Sequence, residues 1–190
     1  VTVTAACDVD NPLTGSNGAA VVYGPQKGAK PEHVEQLDAN LHHWAERIER
    51  DLGIATHDLP GSGAAGGLGA GLLAFCGATL EPGIDIVIDA TKLAGRIADA
   101  DLVLTGEGRL DGQSMSGKTA IGVARVARAA GVPCVAVVGS LGDGHERTLE
   151  LLECYHAIKP DGMELAEAIA RVEELLAATT ERVLRERRGL

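Results

Sequence analysis

The hydrophobic pattern is clearest between Pro31 and Leu52. Val34, Leu37, Leu41, Trp44 and Ile48 recur at intervals of 3, 4, 3 and 4, which is one face of a helix. Pro31 suits the first helical position, and Glu32 and Glu35 suit the positive end of the helix dipole. His42 and His43 are adjacent within this segment, so their side chains diverge. They read as surface or half-buried histidines rather than as a metal pair.

Upstream, Val1–Ala6 has the composition of a strand and no breaker. Downstream, Leu68–Ala78 is an apolar helical segment. The pattern then alternates. Ile84–Asp89, IDIVID, reads as a strand, Thr91–Ala100 as a short helix, and Asp101–Thr105, with the apolar run Leu102–Leu104, as the next strand. That order predicts a parallel, right-handed βαβ crossover. A helix over Thr119–Ala130, a buried strand in CVAVVGS and a short apolar strand at His156–Ile158 follow. Leu165, Ile169, Val172, Leu176 and Val183 then line one face of a long C-terminal helix. Alternating strands and helices from residue 84 onward predict a doubly wound, three-layer α/β unit. The charged tail RVLRERRGL reads as a fraying end.

Candidate chemistry concentrates in Asp101–Thr119, DLVLTGEGRLDGQSMSGKT. A short strand leads into a Gly-rich segment with two acids, Glu107 and Asp111, and two cations, Arg109 and Lys118, and a helix follows. This order places charged groups at the carboxyl edge of an α/β sheet, where ligands bind. Glycines such as Gly106 let a backbone approach a ligand, and a helix start favours anions. Acids beside an anion site call for a metal ion between them and the phosphates. The local chemistry is that of phosphoryl binding or transfer.

Two familiar patterns fit their context poorly. Gly112–Thr119 matches the phosphate-binding pattern GxxxxGK[ST], but a P-loop starts where its strand ends, and EGRLD intervenes here. CVAVVGS also ends without an acid. Gly61, Gly63 and Gly66 form GxGxxG, yet ATHDLP before them is no apolar strand, which disfavours a dinucleotide fold. The same Leu59–Gly71 stretch remains a candidate anion cradle of bare N–H groups, with Ser62 as an added hydroxyl donor. Part of its Gly and Ala content also suits close helix packing.

Near the start, CDVDNPLTG places Asp8, Asp10 and Asn11 at a strand end. There Asx-turn bonding and a ligand-facing Asp8 are both open. Lys27, in the polar loop Gly15–Lys30, could meet an anion, though solvation is the simpler state.

Composition narrows the classes. Of 190 residues 45% are apolar but only 2% aromatic, so the core must be built from Ala, Val, Leu and Ile. A net charge of −10 argues against a nucleic-acid partner. No stretch holds 18 uncharged apolar residues and no signal peptide is evident, so no membrane association is expected. Cys7, Cys76, Cys134 and Cys154 are widely spaced without a CxxC pair, the pattern of reduced core cysteines in a cytoplasmic protein rather than of a zinc site. The opening VTVTAACDV, strand-like and without Met, reads as the start of a piece of a longer chain.

In that order, CDVDNPLTG, YGPQKGA, PGSGAAGGLGAG and TGEGRLDGQSMSGK resemble the bacterial type I glycerate kinases, over Cys7 to about Gly139. The resemblance covers the C-terminal half of such a chain. It implies a Rossmann-like doubly wound α/β domain with a second α/β domain inserted in it, and an active site between them. Residues 1–83 would be part of the inserted domain and 84–190 the C-terminal part of the Rossmann-like one. The implied reaction moves the γ-phosphoryl group of ATP to D-glycerate with Mg²⁺. Asp111 would be the base or a metal-bound acid and Glu107 a second metal ligand. Arg109 and Lys118 would balance phosphate or the glycerate carboxylate. Asp8, Gly61, Ser62, Gly63, Gly66, Gly67 and Gly106 would bind substrate or phosphate. Thr119 departs from the family's usual pattern after Lys118. A non-catalytic fragment that binds nucleotide or pairs as a homodimer is the alternative.

Overall fold

The computed structural model describes residues 1–116 and 119–188. The chain divides into two compact units, Val1–Ile86 and Val87–Leu190.

In the first unit, β1 (Thr4–Ala6) is followed by α1 (Ala19–Tyr23), a 3-10 turn at Pro25–Lys27, α2 (Pro31–Leu52), α3 (Ala64–Cys76) and β2 (Thr79–Glu81). The two strands pair in parallel, Thr4 opposite Thr79. Helix α2 has the bounds that the pattern predicts. It starts on Pro31, and it ends where Gly53 turns left-handed at φ 72° and donates its N–H to Glu49 O. Its apolar face buries Ala45 and Ile48, and Leu41 and Trp44 pack against Leu13 and Ala70. His42 and His43 are exposed, each within 4 Å of Glu46.

The first turn of α3 is unusual. Ala65, Gly66 and Gly67 are left-handed, at φ 51°, 74° and 102°, so the right-handed coil begins only at Leu68. Gly67 is closely enclosed as well as left-handed. A Cβ there would meet Leu13 Cδ1 at 3.1 Å and Leu41 Cδ2 at 3.3 Å.

The strand expected at Ile84–Asp89 is instead a helix, α4 (Gly83–Thr91). Six residues cannot separate the two periods, because Ile84 and Ile88 share a helical face as well as a strand face. The ends decide. Pro82 O accepts from the N–H groups of Asp85 and Ile86, and Asp8 Oδ1 accepts from Gly83 N at 2.8 Å. Those bonds satisfy first-turn donors that a helix leaves open. The βαβ unit expected over residues 84–105 is therefore absent.

In the second unit, α5 (Leu93–Ile97) precedes β3 (Val103–Thr105) and β4 (Arg109–Leu110). A 3-10 turn at Gly112–Ser116, α6 (Thr119–Ala129), β5 (Cys134–Val138) and β6 (Ser140–Leu141) come next. The chain ends with β7 (Cys154–Ala157), α7 (Leu165–Ala170) and α8 (Val172–Arg188). The main sheet has the order β3-β5-β7, all parallel. Every residue of β5 is buried. Cys134, Ala136 and Val138 join α5 and α6 in one core with Leu110 and Leu152. Val135 and Val137, on the other face of the strand, are buried too, as a central parallel strand requires. Helix α8 also packs against β5 and buries Val183.

The single long C-terminal helix is two helices, broken at Arg171. Its expected apolar face is mostly open: Leu165 and Ile169 are 58% and 64% exposed, Val172 and Leu176 44% each. The four cysteines are free, but only Cys134 is a core residue, and Cys76 is exposed. No described helix is long and apolar enough to cross a membrane.

Candidate functional site

The carboxyl ends of β3 and β5 are held together by their own backbones. Gly139 N donates to Glu107 O and Ser140 N to Gly108 O, so the loops after the two strands continue as the parallel pair β4–β6. This approach depends on missing side chains. A Cβ on Gly106 would lie 2.3 Å from Val137 O, and one on Gly139 2.3 Å from Gly108 O. Gly106 thus has a packing role that any ligand contact would add to.

On this edge the structure brings Glu107, Arg109 and Asp111 into one short segment. Arg109 Nε is 3.6 Å from Asp111 Oδ2. Asp111 also starts the 3-10 turn. Its Oδ1 accepts from Gln113 N at 2.9 Å, and its backbone N–H donates to the buried Ser114 Oγ. The acid is therefore oriented by its own loop, with 21% of its side chain left to solvent. Glu107 differs. Its Oε1 is buried and has no hydrogen-bond partner among the described residues. An orphaned carboxylate oxygen is costly, so it marks a place where a cation would be stabilised. Among the described residues no group of three His, Cys, Asp or Glu gathers to hold a metal. Two carboxylates are nevertheless what Mg²⁺ commonly takes from a protein when phosphates supply further ligands. Lys118 lies outside the described residues. The strand β4 and the 3-10 turn separate β3 from residue 117, so Gly112–Ser116 does not follow its strand as a P-loop does.

In the first unit the glycine loop is bonded largely to itself. Ser62, Gly63, Ala64 and Gly66 donate their N–H groups to Leu59, Asn11, Gly61 and Gly63 carbonyls. These four donors are not bare, contrary to the cradle expectation. Ser62 is fully buried and its hydroxyl donates to Leu59 O at 2.6 Å. A Cβ on Gly63 would meet Pro12 O at 2.2 Å, and one on Gly61 would meet Cys7 Sγ at 2.9 Å. Gly66 is the exception, with open space where its Cβ would be. As expected of a non-Rossmann context, no strand leads directly into Gly61. Asp8 is exposed and caps α4 as described above.

Gly66 opens onto a cavity of about 590 Å³ that residue patterns did not reveal as a site. Its walls are Ala19, Ala20, Leu37 and Leu41, and Tyr23, Lys27, His33 and Gln36 add polar groups. Lys27 and Gly66 are candidates from the sequence, but nothing in the linear pattern joins them to Leu37 and Leu41 on α2.

The glycerate kinase family model matches residues 1–188. The glycerate kinase of Halalkalibacterium halodurans is 50% identical over 177 residues, 93% of this chain and 47% of its own length. That of Haemophilus influenzae is 44% identical over 97% of this chain and 49% of its own. The glycerate 2-kinase of Escherichia coli K12 is 52% identical over 74% of this chain and 37% of its own. A crystal structure described as that of glycerate kinase 2 from Salmonella typhimurium LT2 superposes with a TM-score of 0.80 at 44% identity. That match covers all of this chain and 50% of the other. The chain spans about half the length of the curated relatives it matches. It belongs to the glycerate kinase family.

Proposed function

We propose that the chain forms the part of a glycerate kinase that handles the phosphoryl group, transferring it from ATP to D-glycerate. One observation carries this reading: a Glu107 oxygen that is buried and without a partner among the described residues lies on the carboxyl edge of a parallel sheet, in one segment with the Arg109–Asp111 pair. Phosphoryl transfer asks for charge neutralisation and positioning rather than covalent chemistry. Asp111 accepts the proton of the attacking glycerate hydroxyl, whose oxygen forms the new bond to phosphorus as ADP departs. Arg109 steadies the Asp111 carboxylate and balances anionic charge, and Lys118 adds a second cation to that set. Glu107, with Asp111 as a second ligand, would hold Mg²⁺, and the ion would supply neutralisation of the phosphate oxygens. Residues 1–83 correspond in this reading to the inserted domain and 84–190 to the Rossmann-like one. A reducing, cytoplasmic setting suits the four free thiols.

The test is turnover of Mg²⁺-ATP with D-glycerate by this chain joined to the remaining half of a relative. Asp111→Asn keeps the shape and removes the charge. Loss of a general base costs on the order of 10²–10⁴-fold, so kcat should fall by at least about 100-fold with the fold intact. Near-normal turnover would move the role to Glu107 or Asp8.

A second reading rests on the exposed stripe Leu165, Ile169, Val172 and Leu176. A non-catalytic module that pairs with a second copy would cover that stripe. A concentration-independent monomer in light scattering excludes it.

A further inference from the structure

We propose that His145 is a positioning residue for Asp111: its imidazole fixes the Gly142–Asp143 turn, and that turn clamps the backbone on both sides of the acid. This rests on the kinase reading and names a residue outside the charged segment on which the geometry of that reading depends.

The clamp is two backbone hydrogen bonds. Gly142 N donates to Leu110 O at 2.8 Å, and Gly112 N donates to Asp143 O at 2.9 Å. They bracket Asp111. Gln113 N and the Ser114 hydroxyl orient the acid within its own loop, whereas the clamp sets where that loop stands.

His145 closes the turn. Its Nδ1 lies 2.7 Å from Gly142 O, and its backbone N–H donates to the same oxygen at 3.4 Å. A carbonyl oxygen only accepts, so Nδ1 carries a proton here. Gly144, left-handed at φ 74°, folds the chain back so that the ring reaches Gly142. The side chain is 20% exposed, and the ring stands edge-on to Tyr155 with centroids 5.1 Å apart. Glu146 Oε1, at 3.7 Å from the same nitrogen, is too far for a hydrogen bond.

Behind His145 lies the core. The fully buried Thr148 donates its hydroxyl to His145 O at 2.6 Å, and Leu152 N donates to Thr148 O at 2.8 Å. Leu152 belongs to the cluster around β5. A continuous run of hydrogen bonds therefore joins the core, through Thr148 and His145, to the two bonds that flank Asp111. Packing beside Tyr155 asks only for a ring. The N–H aimed at Gly142 O is what a histidine adds to it.

The experiment uses the chain joined to the remaining half of a relative. His145→Phe keeps a ring beside Tyr155 and removes the donor. His145→Asn removes the ring and keeps an N–H close to the place of Nδ1. With Mg²⁺-ATP and D-glycerate, His145→Phe should lower kcat about 10-fold at unchanged KM for ATP, because small misplacements near the chemistry are costly. His145→Asn should recover most of that loss. The Gly112 and Gly142 amides should exchange hydrogen at least about 10-fold faster in His145→Phe, and near the wild-type rate in His145→Asn. A packing role alone would make His145→Asn the worse variant. That order, or a wild-type kcat in His145→Phe, overturns the proposal. So does equal exchange in all three proteins, with or without turnover. If circular dichroism shows His145→Phe unfolded, His145→Gln takes its place, since its donor falls nearer Nε2. Wild-type exchange in His145→Gln would then overturn the clamp. Combining His145→Phe with Asp111→Asn separates the two readings. Acting through Asp111, His145→Phe should cost the Asp111→Asn protein nothing further, and an additive loss overturns the proposal. Normal turnover in Asp111→Asn rejects the role of Asp111, while the exchange rates still decide the clamp. Normal turnover in His145→Phe beside a crippled Asp111→Asn rejects the role of His145 and keeps the kinase reading.

Discussion

Arg109 Nε stands 3.6 Å from Asp111 Oδ2, and Gly142 leaves the space in which they meet. A Cβ on Gly142 would fall 2.6 Å from Arg109 Nε and 2.9 Å from Asp111 Cβ. The pair is largely solvent-exposed on its arginine side, so its worth to stability is small. Its worth to function is orientation.

Gly142→Ala should therefore displace both side chains with little loss of stability. We expect turnover with Mg²⁺-ATP and D-glycerate to drop by about 10-fold or more, since small misplacements near the chemistry are costly. Unchanged kcat and KM together would show that the pair's geometry does not matter.

Asp8 offers a cleaner separation. Its carboxylate caps α4 through Gly83 N. Asn caps about as well as Asp, whereas Ala removes the acceptor at about 1 kcal/mol. Asp8→Ala should lower the thermal midpoint by a few degrees and Asp8→Asn should not. If Asp8→Asn nevertheless loses substrate affinity, the charge itself meets a ligand. If it binds normally, the residue is a cap.

The glycine loop should split by position. Gly63→Val puts a side chain where Pro12 O already lies, and overpacking of this kind costs about 1–3 kcal/mol. Gly66→Ala meets no atom and pays only for its left-handed φ of 74°, about 1–2 kcal/mol. Because the Pro12 oxygen is backbone and cannot swing aside, Gly63→Val should lower the denaturant midpoint more than Gly66→Ala does. Equal midpoints would mean that the loop moves away from Pro12 without penalty.

The thiols should react unequally. Burial pushes the Cys134 thiol up to about 11, and raises Cys154 as well. Both are neutral thiols at pH 8, and only the thiolate is nucleophilic. Cys76, exposed at the end of α3, should take up an aromatic disulfide reagent first, and Cys134 only on unfolding. Labelling of Cys134 at the rate of Cys76 under native conditions would contradict its place in the core.

Local sequence was enough for the elements whose signals agree. The 3.6-residue period, Pro31 and Gly53 specify α2 without help from the rest of the chain. The uninterrupted apolar run of Cys134–Val138, closed off by Pro133 and Gly139, is short and β-branched enough to read as a strand covered on both faces. The charged segment after Thr105 was legible as the continuation of a strand into a glycine-rich edge, which the β4–β6 pair forms.

Tertiary structure decided the rest. IDIVID carries strand and helix periods at once, and the Asp8 carboxylate, 75 positions away, tips it to helix by satisfying Gly83 N–H. The bare N–H groups expected of the glycine loop are mostly taken by Asn11 and by the loop's own carbonyls. The open cavity lies instead at Gly66, beside residues from α1 and α2 that no linear motif joins. Sequence specifies which groups are available, through period, capping and glycine. Which hydrogen bonds they spend on each other, and so which remain for a ligand, depends on neighbours brought from elsewhere in the chain.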